Sequence, residues 1–243
     1  MAYKRLERIL IQLDTIDSTN NYAAKLLKST KVSEGTVIMA DWQHKGRGQR
    51  TNVWTAEPGK NLTFSVIFYP ELSVDRSFYL NIMASLAIRK ALERYGLAAE
   101  IKWPNDILIR EKKICGILID NQLSGKKIKS AVVGIGLNVN QFDFDVSATS
   151  LLLETQQEQH LKQLLDEVYL QLDFYYDLLR SSNYQLLKKH YYHHLYRLNH
   201  LSEFEDKDGR FSGTIQGINE NGLLSVLRDG TKKSYDIQEI KYC

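Results

Sequence analysis

Residues 100–103, 106–110, 114–120 and 130–139 form a run of short apolar segments rich in aliphatic and β-branched side chains, which reads as four strands. The connectors between them are too short for a crossover helix, so neighbouring strands have to run antiparallel. That commits the chain to a largely antiparallel sheet, around which the other elements must be arranged. Further strands are expected at 9–13, 36–42 and 61–69. The last alternates around Leu62, Phe64, Val66 and Phe68, which gives it two different faces.

Helices are expected at 22–28, at 78–95 (Phe78, Ile82, Leu86 and Ala87 at helical spacing, stopping at Gly96), at 160–180 and at 184–195. The third has a core stripe of Leu161, Leu164, Leu165, Val168, Leu172, Tyr175 and Leu179. Beyond Asn199 the character changes. Asp208-Gly209, Asn221-Gly222 and Asp229-Gly230 punctuate short strand candidates, and such dipeptides favour tight hairpins. A small β-barrel-like unit is expected there, with the boundary near Asn199.

With 243 residues, 43% of them hydrophobic, the chain can bury one sizeable core plus a small second unit. Its net charge of +3 is too weak to argue for nucleic acid. No apolar window reaches the ~18 residues of a membrane span, and the basic stretch from Met1 to Arg8 is not followed by an apolar signal core. Cys115 and Cys243 make no disulfide framework, and Cys115 sits in an apolar strand as a small core residue. A reducing, cytoplasmic setting without a membrane partner is the expectation.

Several motifs carry candidate chemistry. Lys102-Trp103-Pro104-Asn105-Asp106 forms a corner stiffened by Pro104, and one strand and a tight turn later the chain reaches Lys113, close enough to meet Asp106. The corner is either a polar ligand site or a turn with a solvated Asn-Asp pair. Gly46-Arg47-Gly48-Gln49-Arg50, preceded by Lys45 and followed by Trp54, lets backbone approach a ligand while cations pair with phosphate or carboxylate. It is neither a Walker A loop nor a dinucleotide fingerprint, and a solvated basic loop is its plain alternative. Ser18-Thr19-Asn20 either caps a helix or binds a neutral polar group. Gly134, Gly136, Asn138 and Asn140 lie in or just past an apolar strand, where glycines mark a bulge or a close approach. His190, His193 and His194 read as a solvated helix face rather than a metal site, and Tyr175, Tyr176, Tyr191 and Tyr192 as packing. No Gly-x-Ser-x-Gly elbow supports a hydrolase.

These motifs occur in one order between about residues 9 and 140: Ser18-Thr19-Asn20, Gln43 with Gly46-Arg47-Gly48, Trp54, the Lys-Trp-Pro-Asn-Asp corner, Lys113 with Gly116, and Gly136-Leu137-Asn138. The series resembles the biotin protein ligases. The resemblance implies an α+β fold of the class II synthetase type, with a mixed, largely antiparallel sheet and packed helices over residues 1–198. An SH3-like β-barrel would follow over 199–243. It also implies that biotin and ATP, with Mg2+ as the nucleotide's counter-ion, give biotinyl-5′-AMP and pyrophosphate. The biotinyl group then passes to one lysine of a biotin carboxyl carrier domain.

By the same resemblance, Lys113, Asp106 and Arg47 are the catalytic candidates. Ser18, Thr19, Asn20, Gln43, Gly46, Arg47, Gly48, Lys113 and Gly116 would bind biotin. Arg47, Gln49, Arg50, Trp54, Asn105, Lys113 and Asn138 would bind ATP or the adenylate, and no residue is assigned to a metal. Two departures stand out. Many members carry arginine where this chain has Gln49, so that either Arg50 or Lys45 takes over adenylate retention or the intermediate is held less tightly. The pattern also begins within about ten residues of Met1, which leaves no room for the DNA-binding winged helix of some members. DNA is therefore not an expected partner, and a homodimer stays open. The rival readings are a lipoate or octanoate transferase of the same fold and a non-catalytic biotin sensor.

Overall fold

The strands expected between residues 100 and 139 form one antiparallel ribbon: β4 (Ala99–Lys102), β5 (Asp106–Ile109), β6 (Lys112–Ser124) and β7 (Lys127–Leu137), paired in succession. The computed structural model describes residues 5–144 and 146–243, so that 1–4 of the basic amino-terminal stretch lie outside it. β6 and β7 run further than expected, because their outer ends are polar and exposed and carry no apolar pattern. Gly125, at φ 60°, turns the hairpin between them.

β1 (Leu10–Ile16), β2 (Val37–Gln43) and β3 (Leu62–Phe68) extend the ribbon into a seven-stranded sheet of order β1-β2-β3-β7-β6-β5-β4. β1 and β2 run parallel. Helix α1 (Thr19–Ser29) lies between them in sequence and provides the crossover that a parallel pair needs. The outer edge of β4 is covered by the segment after the last helix: Ile101 N–H donates to the His194 carbonyl at 2.8 Å, and Tyr196 N–H donates to the Ile101 carbonyl at 2.9 Å.

One sheet face carries the main core. Phe64, Val66, Ile107, Ile117 and Ile135 join a cluster that includes buried residues of α2 (Phe78–Glu93), α4 (Leu161–Arg180) and α5 (Tyr184–His193). α2 is apolar around most of its circumference, since it contacts both the sheet and α4. Tyr176 and Tyr191 are fully buried, in line with packing roles. A five-residue helix, α3 (Leu151–Thr155), was not expected; it is too short to show periodicity and is held by Ser150, whose Oγ accepts from Leu153 N–H. His194 corrects another expectation. It lies past the end of α5, with its ring against Arg89 Nη1, and is partly withdrawn from solvent rather than on an open helix face. Burial, then the nearby Arg89 charge, pushes its pKa down to about 4.

The carboxy-terminal unit is a second sheet of order β11-β10-β9-β8-β12, with β8 (Leu201–Asp206), β9 (Gly209–Ile218), β10 (Leu224–Arg228), β11 (Thr231–Tyr235) and an unanticipated β12 (Ile240–Tyr242). Asp229 and Gly230 both have positive φ, 50° and 73°, as a two-residue type I′ turn requires. Its apolar residues Phe204, Ile215 and Leu224 belong to the same cluster as the main core, so hydrophobic contact continues across the helix-to-strand change near Asn199.

The opposite face of the large sheet is covered only in part. α1 packs Ala23 in a small cluster with Ile38, Ile67 and Val132. Beyond the helix amino terminus the exposed sheet carries glycines, and the cleft lies there.

Candidate active site

Register explains the cleft floor. Lys102, Asp106, Gly116, Gly136 and Thr63 are successive cross-strand partners, so their side-chain positions line up on one face. One step along, Gly134 is paired to Leu118 and Ser65 on that same face. Three glycines therefore leave bare backbone in the middle of the sheet, and two polar side chains lie on it. The Trp54 indole covers Gly136, where an added Cβ would come within 2.4 Å of it; Asn20 covers Gly134, where a Cβ would come within 2.2 Å of its Oδ1. The cleft above spans about 670 Å³, counted together with the open solvent at its mouth.

At one end stands the start of α1. Ser18 occupies the N-cap position but makes no side-chain capping bond, and it lines the cleft. Thr19 donates from its backbone N–H and its Oγ1 to Gln43 Oε1 at 2.7 and 3.0 Å. Ser65 Oγ lies 2.7 Å from Thr19 Oγ1 and 2.6 Å from Asn20 Oδ1. Thr19, Asn20 and Ser65 are buried and Gln43 is half-buried, and the network fixes Gln43 and Asn20 before any ligand arrives.

The Gly46–Trp54 loop folds back on itself. Trp54 N–H donates to the Gly46 carbonyl at 3.0 Å and Gly48 N–H to the Asn52 carbonyl at 2.8 Å. A Cβ on Gly46 would sit 2.2 Å from the Trp54 carbonyl oxygen, so only glycine allows this approach. Arg47, Gly48, Gln49 and Trp54 line the cleft. Arg50 does not; its guanidinium donates to Gln238 Oε1 of the carboxy-terminal unit. The Trp54 indole nitrogen is buried without a hydrogen-bond partner among the described residues.

At the other end, Lys113 Nζ lies 2.7 Å from Asp106 Oδ1. The contact is ionic: Oδ1 is buried against the Lys113 ammonium and accepts no well-angled hydrogen bond among the described residues. Lys113 also stands 5.8 Å from the Trp54 ring centroid. Asn105 lines the cleft with its amide tied to the Ile117 carbonyl at 2.7 Å. Beside this cluster, Lys102 lies over the Tyr242 ring, and burial lowers its pKa ahead of the neighbouring charges. Asn138 is placed differently from its motif neighbours. It is buried outside the cleft lining, and its amide donates to the Thr149 carbonyl at 3.0 Å.

A model of the biotin/lipoate A/B protein ligase family matches residues 13–138, the stretch that supplies nearly all of this cleft. The chain belongs to that family. Among its relatives, the bifunctional ligase/repressor BirA of Bacillus subtilis is 30% identical over 234 residues, which is 93% of this chain and 72% of the relative. The biotin–[acetyl-CoA-carboxylase] ligase of Paracoccus denitrificans is 35% identical over 129 residues, about half of each chain at 51%. A solved biotin protein ligase from Aquifex aeolicus, in complex with biotin and ATP, superposes with a TM-score of 0.80 at 28% identity, covering 96% of this chain and 99% of that one.

Within this ligase-family frame, sequence reasoning missed several cleft residues. Ser65 supports the floor from β3, bonded to Thr19 and Asn20, while Gly134, noted in the sequence as a bulge or close-approach glycine but given no ligand, lines it. Asp120 accepts hydrogen bonds from Asn20 and Arg47. The signal was present: Gly116, Leu118 and Asp120 alternate along one strand, and an acid on the glycine side of a strand invites attention. Only the register says which neighbours that acid meets.

Proposed function

We propose that this chain is an AMP-forming biotin–protein ligase acting on the carrier domain of a biotin-dependent carboxylase. The observation that carries the reading is one cleft with a neutral polar pocket at one end, built by Ser18, Thr19 and Gln43, and the Lys113–Asp106 pair at the other. A ureido ring is neutral and polar and suits the first end. A carboxylate and an α-phosphate are anions and need the cation at the second.

In the first half-reaction a biotin carboxylate oxygen attacks the α-phosphorus of ATP, and pyrophosphate leaves with the bridging oxygen. Mg2+ arrives with ATP as part of that substrate, held by its phosphates. Lys113 screens the approach of two anions and meets the charge that grows on the phosphoryl oxygens. Trp54 offers a ring face and an unused N–H to the nucleotide, with Asn105 at the cleft wall, and Arg47 and Gly48 close the loop side. Asn138 ties into this end through Thr149, whose carbonyl accepts its amide and whose N–H donates to the Lys113 carbonyl.

In the second half-reaction the carrier lysine attacks the acyl carbon of the mixed anhydride, an amide forms, and AMP leaves with the anhydride oxygen. The amine is protonated near neutral pH and has to shed a proton first. Asp106, whose Oδ1 faces the Lys113 ammonium at 2.7 Å, turns to the carrier ammonium in this step and receives its proton. Closure of the loop over the cleft keeps water from the anhydride.

The test is direct. The protein is incubated with biotin, MgATP and a carrier domain, and biotin is detected on the acceptor lysine. Lys113→Ala should still bind biotin but lose pyrophosphate release by roughly 10²–10³-fold, the usual cost of removing a group that stabilises developing charge. Labelling by lipoate but not by biotin would reverse the substrate assignment.

A further inference from the structure

Arg47, on the loop side of the cleft, is paired with a single acid. Its Nη1 donates to Asp120 Oδ2 at 2.9 Å and its Nη2 to Asp120 Oδ1 at 3.3 Å, a two-pronged contact of the kind that orients a guanidinium plane. Nη1 also donates to Asn21 Oδ1 at 3.0 Å, and Asn21 in turn donates to Asp17 at 2.8 Å. Asp120 is itself fixed, since Asn20 Nδ2 donates to it at 2.9 Å while Asn20 rests on the Gly134 backbone. A carboxylate near a cleft that takes anionic ligands is unfavourable unless a cation neutralises it, and here the cation is Arg47.

We propose that Asp120 is a positioning residue for Arg47: it holds the guanidinium across the α1 end of the cleft, so that the loop shuts over a ligand head bound by Thr19, Asn20 and Gln43. The proposal rests on the site reading above. Arginine has many rotamers, and a free one would have to be ordered each time the ligand binds. Asp120 meets that cost in advance. Its effect therefore falls on the affinity of the biotin end and on adenylate retention, not on the chemistry at Lys113, which lies at the far end of the cleft floor.

The test is a mutant cycle on the full-length enzyme. Asp120→Asn keeps the volume and removes the charge and one acceptor. It should raise the biotin KM about tenfold and speed adenylate release by a similar factor, as loss of a charge-assisted bidentate contact would. The ATP KM should stay unchanged and kcat within about threefold. Asp120→Glu should recover part of the loss. On an Arg47→Ala background Asp120→Asn should add nothing, because the acid acts through that arginine. An unchanged or lower biotin KM in Asp120→Asn overturns the proposal, as does a full-sized cost on the Arg47→Ala background. If Arg47→Ala alone leaves biotin KM and adenylate release unaltered, the site reading loses Arg47 and this proposal falls with it. A costly Arg47→Ala beside a silent Asp120→Asn sinks the proposal alone. Should Asp120→Asn fail to fold, Asn21→Ala removes the second contact to Arg47. A rise of about threefold in biotin KM supports the proposal, and no rise overturns it.

Discussion

Trp103 donates its indole N–H to the Gly222 carbonyl at 2.8 Å, which ties the Lys-Trp-Pro-Asn-Asp corner to the Asn221-Gly222 turn of the carboxy-terminal unit. Both residues are buried, so neither group can turn to water instead. Trp103→Phe keeps most of the ring but strands that carbonyl. The expected cost is about 1–3 kcal/mol, the penalty for a buried acceptor left unpaired. Denaturant unfolding reads it as a lower midpoint at unchanged slope. Parent-like stability would mean that the bond contributes nothing.

Gly136 supports Trp54 because it has no side chain. In Gly136→Ala the new Cβ would lie 2.4 Å from the indole, and the central strand cannot yield as easily as the loop. The indole should leave the floor. The expected result is unchanged far-UV circular dichroism, altered emission from Trp54 (taken as the difference from Trp54→Phe), and an ATP KM raised about tenfold by overpacking. Unaltered emission would place the indole elsewhere in solution.

Arg50 reaches Gln238 across the two units, and no arginine stands at position 49. If this contact anchors the loop over the adenylate, Arg50→Ala and Gln238→Ala should speed adenylate release to a similar, several-fold extent, the scale of one charge-assisted hydrogen bond. Single-turnover release of labelled adenylate measures it. Acceleration in Arg50→Ala alone would mean that Arg50 touches the ligand directly. No change in either would remove Arg50 from retention.

His194 makes stability depend on pH. Its folded pKa is down at about 4, through burial first and the Arg89 charge second, whereas the unfolded value is near 6.5. Between these values the unfolded chain binds the extra proton. Stability is therefore full above pH ~6.5 and falls as the pH drops towards ~4. His190, shifted down mainly by burial, adds in the same direction. Melting temperatures of His194→Gln should depend less on pH across that window, and an equal slope would rule His194 out.

The long apolar periodicities are legible in the residues alone. The 160–180 helix and the β3 alternation carry strong repeats, and both appear close to their expected limits. α3 and β12 are not legible, because a five-residue helix and a three-residue strand hold too little pattern to separate from a loop. The outer halves of β6 and β7 escape for another reason. Their polar side chains face solvent, and cross-strand hydrogen bonds rather than burial keep them extended.

By itself the sequence determined the local chemistry: which turns need glycine, where helices start, and which motifs carry cations, amides and a carboxylate in a recognisable order. The pairing of Asp106 with Lys113 was foreseeable too, because a hairpin brings close neighbours together. Tertiary structure alone decided which glycines share a face, that Asp120 takes Arg47, that Arg50 meets Gln238, and that Asn138 turns inward. The physical reason is register and distance along the chain. A one-residue slip of β6 against β7 would send Gly116 and Asp120 to the other side of the sheet, and no local pattern records which pairing the packed core selects.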